Sequence, residues 1–228
     1  MGRYLITGAT RGIGRALVDE LADEDLILVA RDTPALDKLR ASLRAAKAVP
    51  IDLAQPETIA AALLGAGLPD RLDGIVHSAG IIRLGTIEEL GPAAWTEQLT
   101  VNVTAVAELT RVLLPALRAA RGAAVFVNSG AGRRVGFTGS GAYAASKHAL
   151  VALAEALRIE EPDIRVTSVF SGRTATDMQR ELRDFEGGEY RPEDYLRPET
   201  VAKMIADALR LPADTELADL RVSPRSRR

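Results

Sequence analysis

The sequence contains no cysteine and only two histidines among its 228 residues. The absence of cysteine excludes disulfide bonds, thiol catalysis and cysteine-ligated metals, and it fits an intracellular location. With two histidines and no cysteine, we expect no metal site. The chemistry of this chain must therefore rest on other side chains.

The sequence also lacks a strong excess of charge of one sign, because 29 lysines and arginines and 31 aspartates and glutamates leave a formal net charge of -2. Such a balance gives no general attraction to nucleic acid or to an anionic membrane. We see no charged leader followed by an apolar segment and a cleavage site, and no apolar run that approaches membrane-spanning length. We therefore expect a soluble, cytoplasmic protein with no nucleic-acid or membrane partner, whose basic end at 225–228 is a solvated tail.

Apolar runs and segments with helical spacing alternate along the whole chain. Hydrophobic residues make up 47% and charged residues 26% of the sequence, which is typical of a globular protein, and the length suits one domain. The predicted strands begin at residue 4 and continue at 25–30, 48–51, 74–77, 123–127, 164–170 and 217–222. The predicted helices follow the first strand and then lie at 33–46, 56–64, 92–118, 143–157 and 198–211. The alternation predicts right-handed βαβ crossovers and an α/β fold, with a mostly parallel sheet and helices on both faces.

A glycine-rich turn separates the first strand from the first helix. Gly8 leads the chain out of the strand, Gly12 lets a pyrophosphate approach the backbone, and Gly14 lets the helix pack closely on the strand. The helix N-terminus then offers free N–H groups and a positive dipole to an anion. The spacing G-x-x-x-G-x-G predicts a dinucleotide cradle in a doubly wound, Rossmann-type domain. The alternative is an ordinary turn between strand and helix that holds no ligand.

The end of the second strand indicates which nucleotide is bound. In dinucleotide folds this strand end meets the adenosine ribose, where an acid accepts from the 2'-OH of NAD and a cation accommodates the 2'-phosphate of NADP. Arg31 favours NADP, and Arg11 adds a second cation on the same side. Asp32 comes one place later and could still reach the ribose, which makes NAD(H) the alternative cofactor. Arg31 could also be a solvated loop cation.

Reactive side chains follow the later strands. Tyr143 and Lys147 are four residues apart and so share one face of a predicted helix. A cation one turn away, together with the positive nicotinamide of an oxidised cofactor, favours the phenolate of a tyrosine, whose ordinary pKa is about 10. The hydroxyl of Ser129, at a strand end, could bind a substrate oxygen. Asn102 lies inside a long predicted helix, where its side chain competes for backbone hydrogen bonds, and this suggests another use for it.

These features resemble the short-chain dehydrogenase/reductase family over nearly the whole chain. The matching residues are Thr7-Gly8-Ala9-Thr10-Arg11-Gly12-Ile13-Gly14, Asp52, His77-Ser78-Ala79-Gly80, Asn102, Ser129, Tyr143-Ala144-Ala145-Ser146-Lys147 and Ser171-Gly172-Arg173-Thr174-Ala175-Thr176. The resemblance implies that Tyr143 is the general acid/base, and that Lys147 lowers its pKa and binds the nicotinamide ribose. It also implies that Ser129 orients the substrate. Asn102 would bend its helix and hold a water that links Lys147 to solvent.

The resemblance further implies a set of cofactor-binding residues. Asp52 would lie at the adenine, and Thr176 would lie near the nicotinamide carboxamide. The complete expected set is Gly8, Thr10, Arg11, Gly12, Ile13, Gly14, Arg31, Asp52, Leu53, Ser78, Ala79, Gly80, Tyr143, Lys147, Gly172, Thr174 and Thr176.

The sequence departs from the family's usual pattern in three places. His77 and Ser78 stand where two asparagines are usual, Ser171 replaces a proline ahead of the cofactor loop, and Ser129 lies one residue further from Tyr143 than is most common. The extra residue changes the expected aim of Ser129, and Ser171 makes the cofactor loop less stiff than proline would. We interpret His77 as a core residue, with a proton-handling role as the alternative.

The sequence thus predicts an oxidoreductase that transfers a hydride between NADP(H) and a carbonyl or alcohol carbon of a small, apolar substrate, with reduction as the expected direction. The alternative is a catalytically silent NAD(P)-binding sensor or scaffold. The helices at 92–118 and 144–159 carry more apolar residues than one sheet-facing stripe requires, which predicts a homodimer or homotetramer. Neighbouring helices of the same chain could instead cover these residues.

Two segments are expected to shape the substrate pocket, the loop at 132–140 and a polar lid at 174–197. The aromatic residues that suggest an apolar pocket are Phe137, Phe185 and Tyr190. Arg133 and Arg134 could meet an anionic group, but we interpret both as solvated.

Overall fold

The computed structural model describes residues 1–31 and 34–225. Its strands are β1 (Arg3–Thr7), β2 (Asp25–Ala30), β3 (Ala46–Pro50), β4 (Gly74–His77), β5 (Ala123–Ser129), β6 (Arg165–Ser171) and β7 (Asp219–Val222). They form one parallel sheet in the order β3-β2-β1-β4-β5-β6-β7. The predicted α/β fold with a parallel sheet is confirmed.

Helices cover both faces of this sheet. They are α1 (Gly12–Glu20), α2 (Pro34–Ala41), α3 (Ile59–Gly65), α4 (Pro92–Leu99), α5 (Ala105–Ala120), α6 (Gly141–Glu160), α7 (Asp177–Phe185) and α8 (Pro198–Leu209). Short 3₁₀ turns lie at Pro56–Thr58, Gly130–Gly132 and Pro192–Asp194.

Successive residues of a central strand face opposite layers, which is why β1, β4 and β5 are apolar along most of their length. Leu5 and Phe126 lie in the core formed with α3, α5 and α6, whereas Ile6 and Val125 lie in the core formed with α1, α2 and α8. All four side chains are buried. The sheet therefore has a hydrophobic layer on each face, and its carboxyl edge is left for polar groups.

The predicted boundaries of the second βα unit are wrong by several residues. α2 ends at Ala41 instead of 46, and β3 covers Ala46–Pro50 instead of 48–51. β3 pairs with β2 along its whole length, so the short connection between α2 and β3 leaves no room for another helical turn. Leu43 continues the helical spacing in the sequence but packs on the core from this connection. The predicted start of the helix at Thr33 lies outside the described residues.

α7 lies within the segment 174–197, where the sequence shows little apolar periodicity. Its buried residues are Gln179 and Leu182, so only a narrow face is covered. Thr176 caps the helix, because its Oγ1 accepts a hydrogen bond from the Gln179 N–H at 3.3 Å. The spacing Thr-x-x-Gln is a capping-box pattern, and it is the sequence signal that could have identified this helix.

α4 and α5 are joined by one π-helical turn, Thr100–Thr104, into a continuous helix of 29 residues, Pro92–Ala120. Among the described residues it is the one helix that is long and apolar enough to cross a membrane by length and composition. This corrects the expectation that no segment approaches that length, because scattered charges such as Glu108 interrupt the apolar runs without making the helix polar. Val106 and Leu109 belong to the core, so this helix packs as a core helix.

Candidate active site

The strand order places β2 and β3 on one side of β1 and β4 to β7 on the other. In open α/β sheets, ligands bind at such a switch point, outside the carboxyl ends of the strands. The glycine-rich turn lies here, and Gly8 and Gly12 have φ angles of +68° and +57°, which favour glycine. A Cβ on Gly14 would overlap the Gly8 carbonyl oxygen and lie 2.5 Å from Ser78 Oγ. The three glycines therefore meet the steric demands that the sequence predicts.

Hydrogen bonds between the ends of β1 and β4 hold the neighbouring wall. Thr7 Oγ1 accepts from the N–H groups of Ser78 and Ala79, each at 3.0 Å, and Ser78 Oγ donates to the Thr7 carbonyl oxygen. Gly80 follows, and a Cβ there would lie 3.2 Å from Asn102 Oδ1. Ser78, Ala79 and Gly80, which are predicted to bind the cofactor, therefore lie beside the glycine-rich turn.

α1 begins with backbone donors that no side chain within the described residues caps. Its N-cap residue is Arg11, which makes no side-chain hydrogen bond to the first turn that contains Ile13. Gly12, the first residue of α1, adds no side chain over these N–H groups at the positive end of the helix dipole. The cradle therefore fits the pyrophosphate of a dinucleotide.

The two arginines predicted to read the ribose phosphate are exposed at the ends of β1 and β2. Within residues 1–31 and 34–225, Arg11 and Arg31 have no ion-pair partner. Asp32, the residue that could favour NAD, lies outside the described residues. A cavity of about 350 Å³ adjoins this region and is lined by Thr10, Arg15, Ala35, Lys38, Leu39 and Ser42.

Asp52 follows β3, where the adenine is expected. Its carboxylate accepts from the Ala54 N–H at 3.0 Å and from Gln55 Nε2 at 3.3 Å, and these bonds hold the turn after the strand. Leu53 is buried in the core. Asp52 therefore has local partners that fix its side chain at the carboxyl edge of the sheet.

Three predicted catalytic side chains meet between β5 and α6. Tyr143 and Lys147 are 9% and 5% exposed. Lys147 Nζ donates to the Val127 carbonyl oxygen at 3.0 Å and lies 5.7 Å from the centroid of the Tyr143 ring. The Ser129 hydroxyl, at the end of β5, is close enough to the Tyr143 phenol to act on its pKa. The extra residue between Ser129 and Tyr143 therefore does not separate the two hydroxyls.

Burial determines the pKa values of this pair. It raises the pKa of Tyr143 from 10.0 to about 12, although the Ser129 hydroxyl acts in the opposite direction. It lowers the pKa of Lys147 from 10.5 to about 8. The pKa of Tyr143 thus moves opposite to the direction that the resemblance implies, because desolvation of the phenolate outweighs the interaction with the Ser129 hydroxyl in the protein alone. At neutral pH, Tyr143 is a phenol and Lys147 is mainly an ammonium.

Asn102 lies in the π-helical turn between α4 and α5, so an irregular turn stands where the resemblance implies a bend. Its Oδ1 accepts from the Ile81 N–H at 2.9 Å, and its Nδ2 donates to the Ile81 carbonyl at 3.0 Å. A Cβ on Gly80 would lie 3.2 Å from Asn102 Oδ1 and 3.9 Å from Lys147 Nζ. Asn102 and Lys147 therefore border the same glycine.

The loop after β6 reaches across to the glycine-rich turn. The Gly172 N–H donates to the Val222 carbonyl at 2.7 Å, and Thr174 Oγ1 donates to the Gly172 carbonyl at 2.9 Å. A Cβ on Gly12 would lie 3.3 Å from Thr176 Cγ2. The last three predicted cofactor residues thus lie at the same crevice as the first.

A contact at the other end of α7 could not be predicted from the sequence. Gly139 has φ +85°, and a Cβ there would lie 2.6 Å from the Phe185 ring. The Gly139 carbonyl also accepts from the Gly85 N–H at 3.0 Å. α7 therefore spans from the glycine-rich turn to the loop at 132–140.

The other aromatic residues expected in an apolar pocket have different surroundings. Tyr190 stacks on Tyr195, with 5.5 Å between the ring centroids, and the Arg180 guanidinium lies 4.3 Å from the Tyr190 centroid. These contacts are internal to the segment 174–197. Phe137 is half-buried in the loop before α6.

The two arginines of the loop after β5 differ from each other. Arg133 lies over the Phe170 ring at 4.2 Å and forms an ion pair with Asp219, so it is not simply a solvated cation. Arg134 is exposed, as expected for a solvated side chain. The structure thus uses Arg133 to attach this loop to β6 and β7.

His77 is buried, with 2% of its surface exposed. Its Nε2 lies 3.0 Å from Thr110 Oγ1, which donates to the Val106 carbonyl, and its ring stacks on Phe126. Burial lowers the pKa of His77 to about 3, so the imidazole is neutral at physiological pH. These surroundings support the interpretation of His77 as a core residue.

Comparison with known proteins agrees with this arrangement. A family model described as short chain dehydrogenase matches residues 3–187. An uncharacterized short-chain type dehydrogenase/reductase from Sinorhizobium fredii is 30% identical over 98% of this chain and 93% of its own length. An alcohol dehydrogenase from the archaeon Thermococcus sibiricus, complexed with 5-hydroxy-NADP, superposes with a TM-score of 0.87, 27% identity and complete coverage of both chains. A short-chain dehydrogenase from Sphingobium yanoikuyae in complex with NADPH superposes with a TM-score of 0.82 and 26% identity, covering 97% of this chain and 87% of that one. This chain therefore belongs to the short-chain dehydrogenase/reductase family.

Proposed function

We propose that this protein, an NAD(P)-dependent oxidoreductase by family, reduces a carbonyl group with NADPH. The observation that carries the proposal is the meeting of Tyr143, Lys147 and Ser129 at the carboxyl edge that also holds the glycine-rich cradle. A protein that only sensed or stored the dinucleotide would need the cradle but not these three side chains. We therefore favour an enzyme over a silent sensor or scaffold.

When bound, a reduced nicotinamide would supply the hydride that forms the new C–H bond at the substrate carbon. As the carbonyl is reduced, its oxygen gains negative charge and takes up a proton. In our proposal Tyr143 donates that proton, and its raised pKa keeps the phenol protonated at neutral pH. The Ser129 hydroxyl donates a hydrogen bond to the same oxygen. The ammonium of Lys147 then stabilises the tyrosinate until a proton returns from solvent.

We assign the return path of the proton to Asn102 and Lys147. Both side chains border Gly80, and the ammonium of Lys147 has protons to pass on, because its pKa of about 8 lies near neutrality. A water held by Asn102 would connect this ammonium to the solvent. The reverse reaction would use the same groups to remove a proton from an alcohol.

We propose NADP(H) as the preferred cofactor and NAD(H) as the alternative. Arg11 and Arg31 are exposed cations that no described carboxylate pairs, and two structural relatives hold NADPH or 5-hydroxy-NADP. Each charge-assisted hydrogen bond contributes about 1.5 to 3 kcal/mol, so two well-placed contacts would give a preference of roughly two to four decades. An inward-facing Asp32 would repel the phosphate and reduce this preference.

We propose that the segment 174–197 is the substrate lid and that the substrate is small and apolar. α7 supports this role, since it touches the glycine-rich turn through Thr176 and the loop at 132–140 through Phe185. Phe185 is 46% exposed, which leaves part of its ring available to a substrate.

We also propose a cytoplasmic homodimer or homotetramer that pairs through α4, α5 and α6.

The test is turnover of a panel of ketones, aldehydes and quinones with NADPH, for wild type and Tyr143→Phe. We expect the variant to lose turnover while its Kd for NADPH stays within about twofold, because the phenol proton is removed and the cradle is intact. Tyr4→Phe is the matched control, since Tyr4 is also buried but lies in β1 near its amino end. Wild-type turnover by Tyr143→Phe would overturn the proposal.

A further inference from the structure

The Asn102 carboxamide has a partner on a second helix. Its Nδ2 donates to the Ile81 carbonyl at 3.0 Å and also to Ser146 Oγ at 3.0 Å. The Ser146 hydroxyl in turn donates to the Tyr143 carbonyl oxygen at 2.8 Å. A chain of hydrogen bonds therefore runs from the loop after β4, through two side chains, to the backbone of Tyr143.

The direction of each bond in this chain is determined by the available protons. Ser146 has one hydroxyl proton, which it gives to the Tyr143 carbonyl, so its oxygen accepts from Asn102. Both Nδ2 protons of Asn102 are then used, one on each partner. Asn102 is 1% exposed and Ser146 is fully buried, so solvent does not compete for these bonds.

We propose that Ser146 is a positioning residue that fixes the Asn102 carboxamide and, through it, the backbone at Ile81. Ile81 holds the carboxamide along one edge only, through its N–H and its carbonyl group. Ser146, on α6, accepts the remaining Nδ2 proton of Asn102. This second hydrogen bond prevents the carboxamide from rotating about the edge that Ile81 holds. The proposal rests on the roles given above to Asn102 and Tyr143.

A purely local role is the competing explanation. Serine inside a helix often bonds a carbonyl three or four residues earlier, and the bond from Ser146 to Tyr143 is of that kind. The bond from Asn102 is different, because it joins α6 to the π-helical turn Thr100–Thr104 of another helix. The test must therefore separate this coupling from local helix stability.

A double-mutant cycle with Ser146→Ala, Asn102→Ala and the double variant measures the coupling. We expect Ser146→Ala to lower kcat about tenfold and to leave the Kd for NADPH within about twofold. In the Asn102→Ala background the same change should lower kcat less than about twofold, because the group that Ser146 positions is gone. Equal effects in the two backgrounds would overturn the proposal. Ser168→Ala is the matched control, since Ser168 is a buried serine in β6.

Hydrogen exchange at the Ile81 amide gives a readout that does not depend on turnover. This N–H donates to Asn102 Oδ1, so we expect Ser146→Ala to speed its exchange about fivefold and Ser168→Ala to leave it unchanged. Should the alanine variant fail to fold, Ser146→Cys keeps the shape of the side chain with a slightly larger atom that is a weak acceptor, and it should also speed exchange. An unchanged Ile81 rate would overturn the positioning role, whereas full turnover by Tyr143→Phe would overturn the proposed function instead.

Discussion

Replacing Lys147 with methionine should change how the stability of the protein depends on pH. Lys147 is 5% exposed, and burial lowers its pKa from 10.5 to about 8. Below about pH 8 the folded protein carries a buried ammonium, which costs stability because the charge is removed from water. Above pH 10.5 neither state holds the proton, and this cost disappears. Methionine has a similar length and no charge, so the variant never carries the cost.

Between about pH 8 and 10.5 the unfolded chain binds more protons at Lys147 than the folded protein does. The free energy of unfolding of the wild type must therefore rise with pH in this window, relative to that of Lys147→Met. The pKa of Lys147 differs between the unfolded and the folded state by an amount that corresponds to roughly 3 kcal/mol of unfolding free energy. Roughly 2–3 kcal/mol of this change takes place between pH 7 and 10. At pH 7 the Lys147→Met variant gains stability because it no longer buries an ammonium. It also loses about 1–3 kcal/mol, because the Val127 carbonyl no longer has its hydrogen-bond donor.

Urea unfolding of both proteins at pH 7, 8, 9 and 10, at one protein concentration, measures this difference. The pKa of Tyr143 is already about 12, and removal of the Lys147 ammonium would only raise it further, so Tyr143 stays a phenol in both folded proteins up to pH 10 and its contribution cancels. Lys203→Met is the matched control, because the Lys203 side chain is 61% exposed on α8. The free energy of unfolding of this variant should differ from that of wild type by the same amount at each pH. If the free energies of unfolding of wild type and Lys147→Met differ by a constant amount from pH 7 to 10, the reasoning is refuted.

The remaining predictions concern cofactor choice, the lid and the oligomer. Arg31→Asp should reverse the preference for NADPH over NADH in binding titrations, and equal wild-type affinities would show that Arg31 does not read the phosphate. Gly139→Ala, whose Cβ would lie 2.6 Å from the Phe185 ring, should raise the substrate KM about threefold or more and leave the Kd for NADPH unchanged. An effect on Kd alone would contradict the lid contact. Light scattering at micromolar concentration should give a dimer or tetramer, and a monomer would exclude pairing through α4, α5 and α6.

The fold follows from the sequence because its strongest signals are local. The run 26–30 in β2 is apolar without a break and is covered on both faces, as a central parallel strand requires. The exact bounds of β3 depend on pairing with β2, which overrides the helical spacing continued by Leu43. The spacing of apolar residues also fails to predict α7, because the buried residues of this helix are Gln179 and Leu182.

The membership of the candidate site is predictable from spacing and motif, but its electrostatics are not. Tyr143 and Lys147 share a helix face by their separation of four, whereas their pKa values depend on burial by elements far away in the chain. The position of Asn102 in a π-helical turn and its bond to Ser146 arise where two helices cross. Such contacts have no signature in a single local segment.

Transfer of deuterium to the substrate carbon from NADPH that carries deuterium at both C4 positions tests the central claim most directly. We predict that wild type forms an alcohol with one deuterium on the former carbonyl carbon. Tyr143→Phe should form none, with its Kd for the labelled cofactor within about twofold of wild type. An alcohol without deuterium from wild type, or deuterium transfer by Tyr143→Phe at the wild-type rate, would contradict the account.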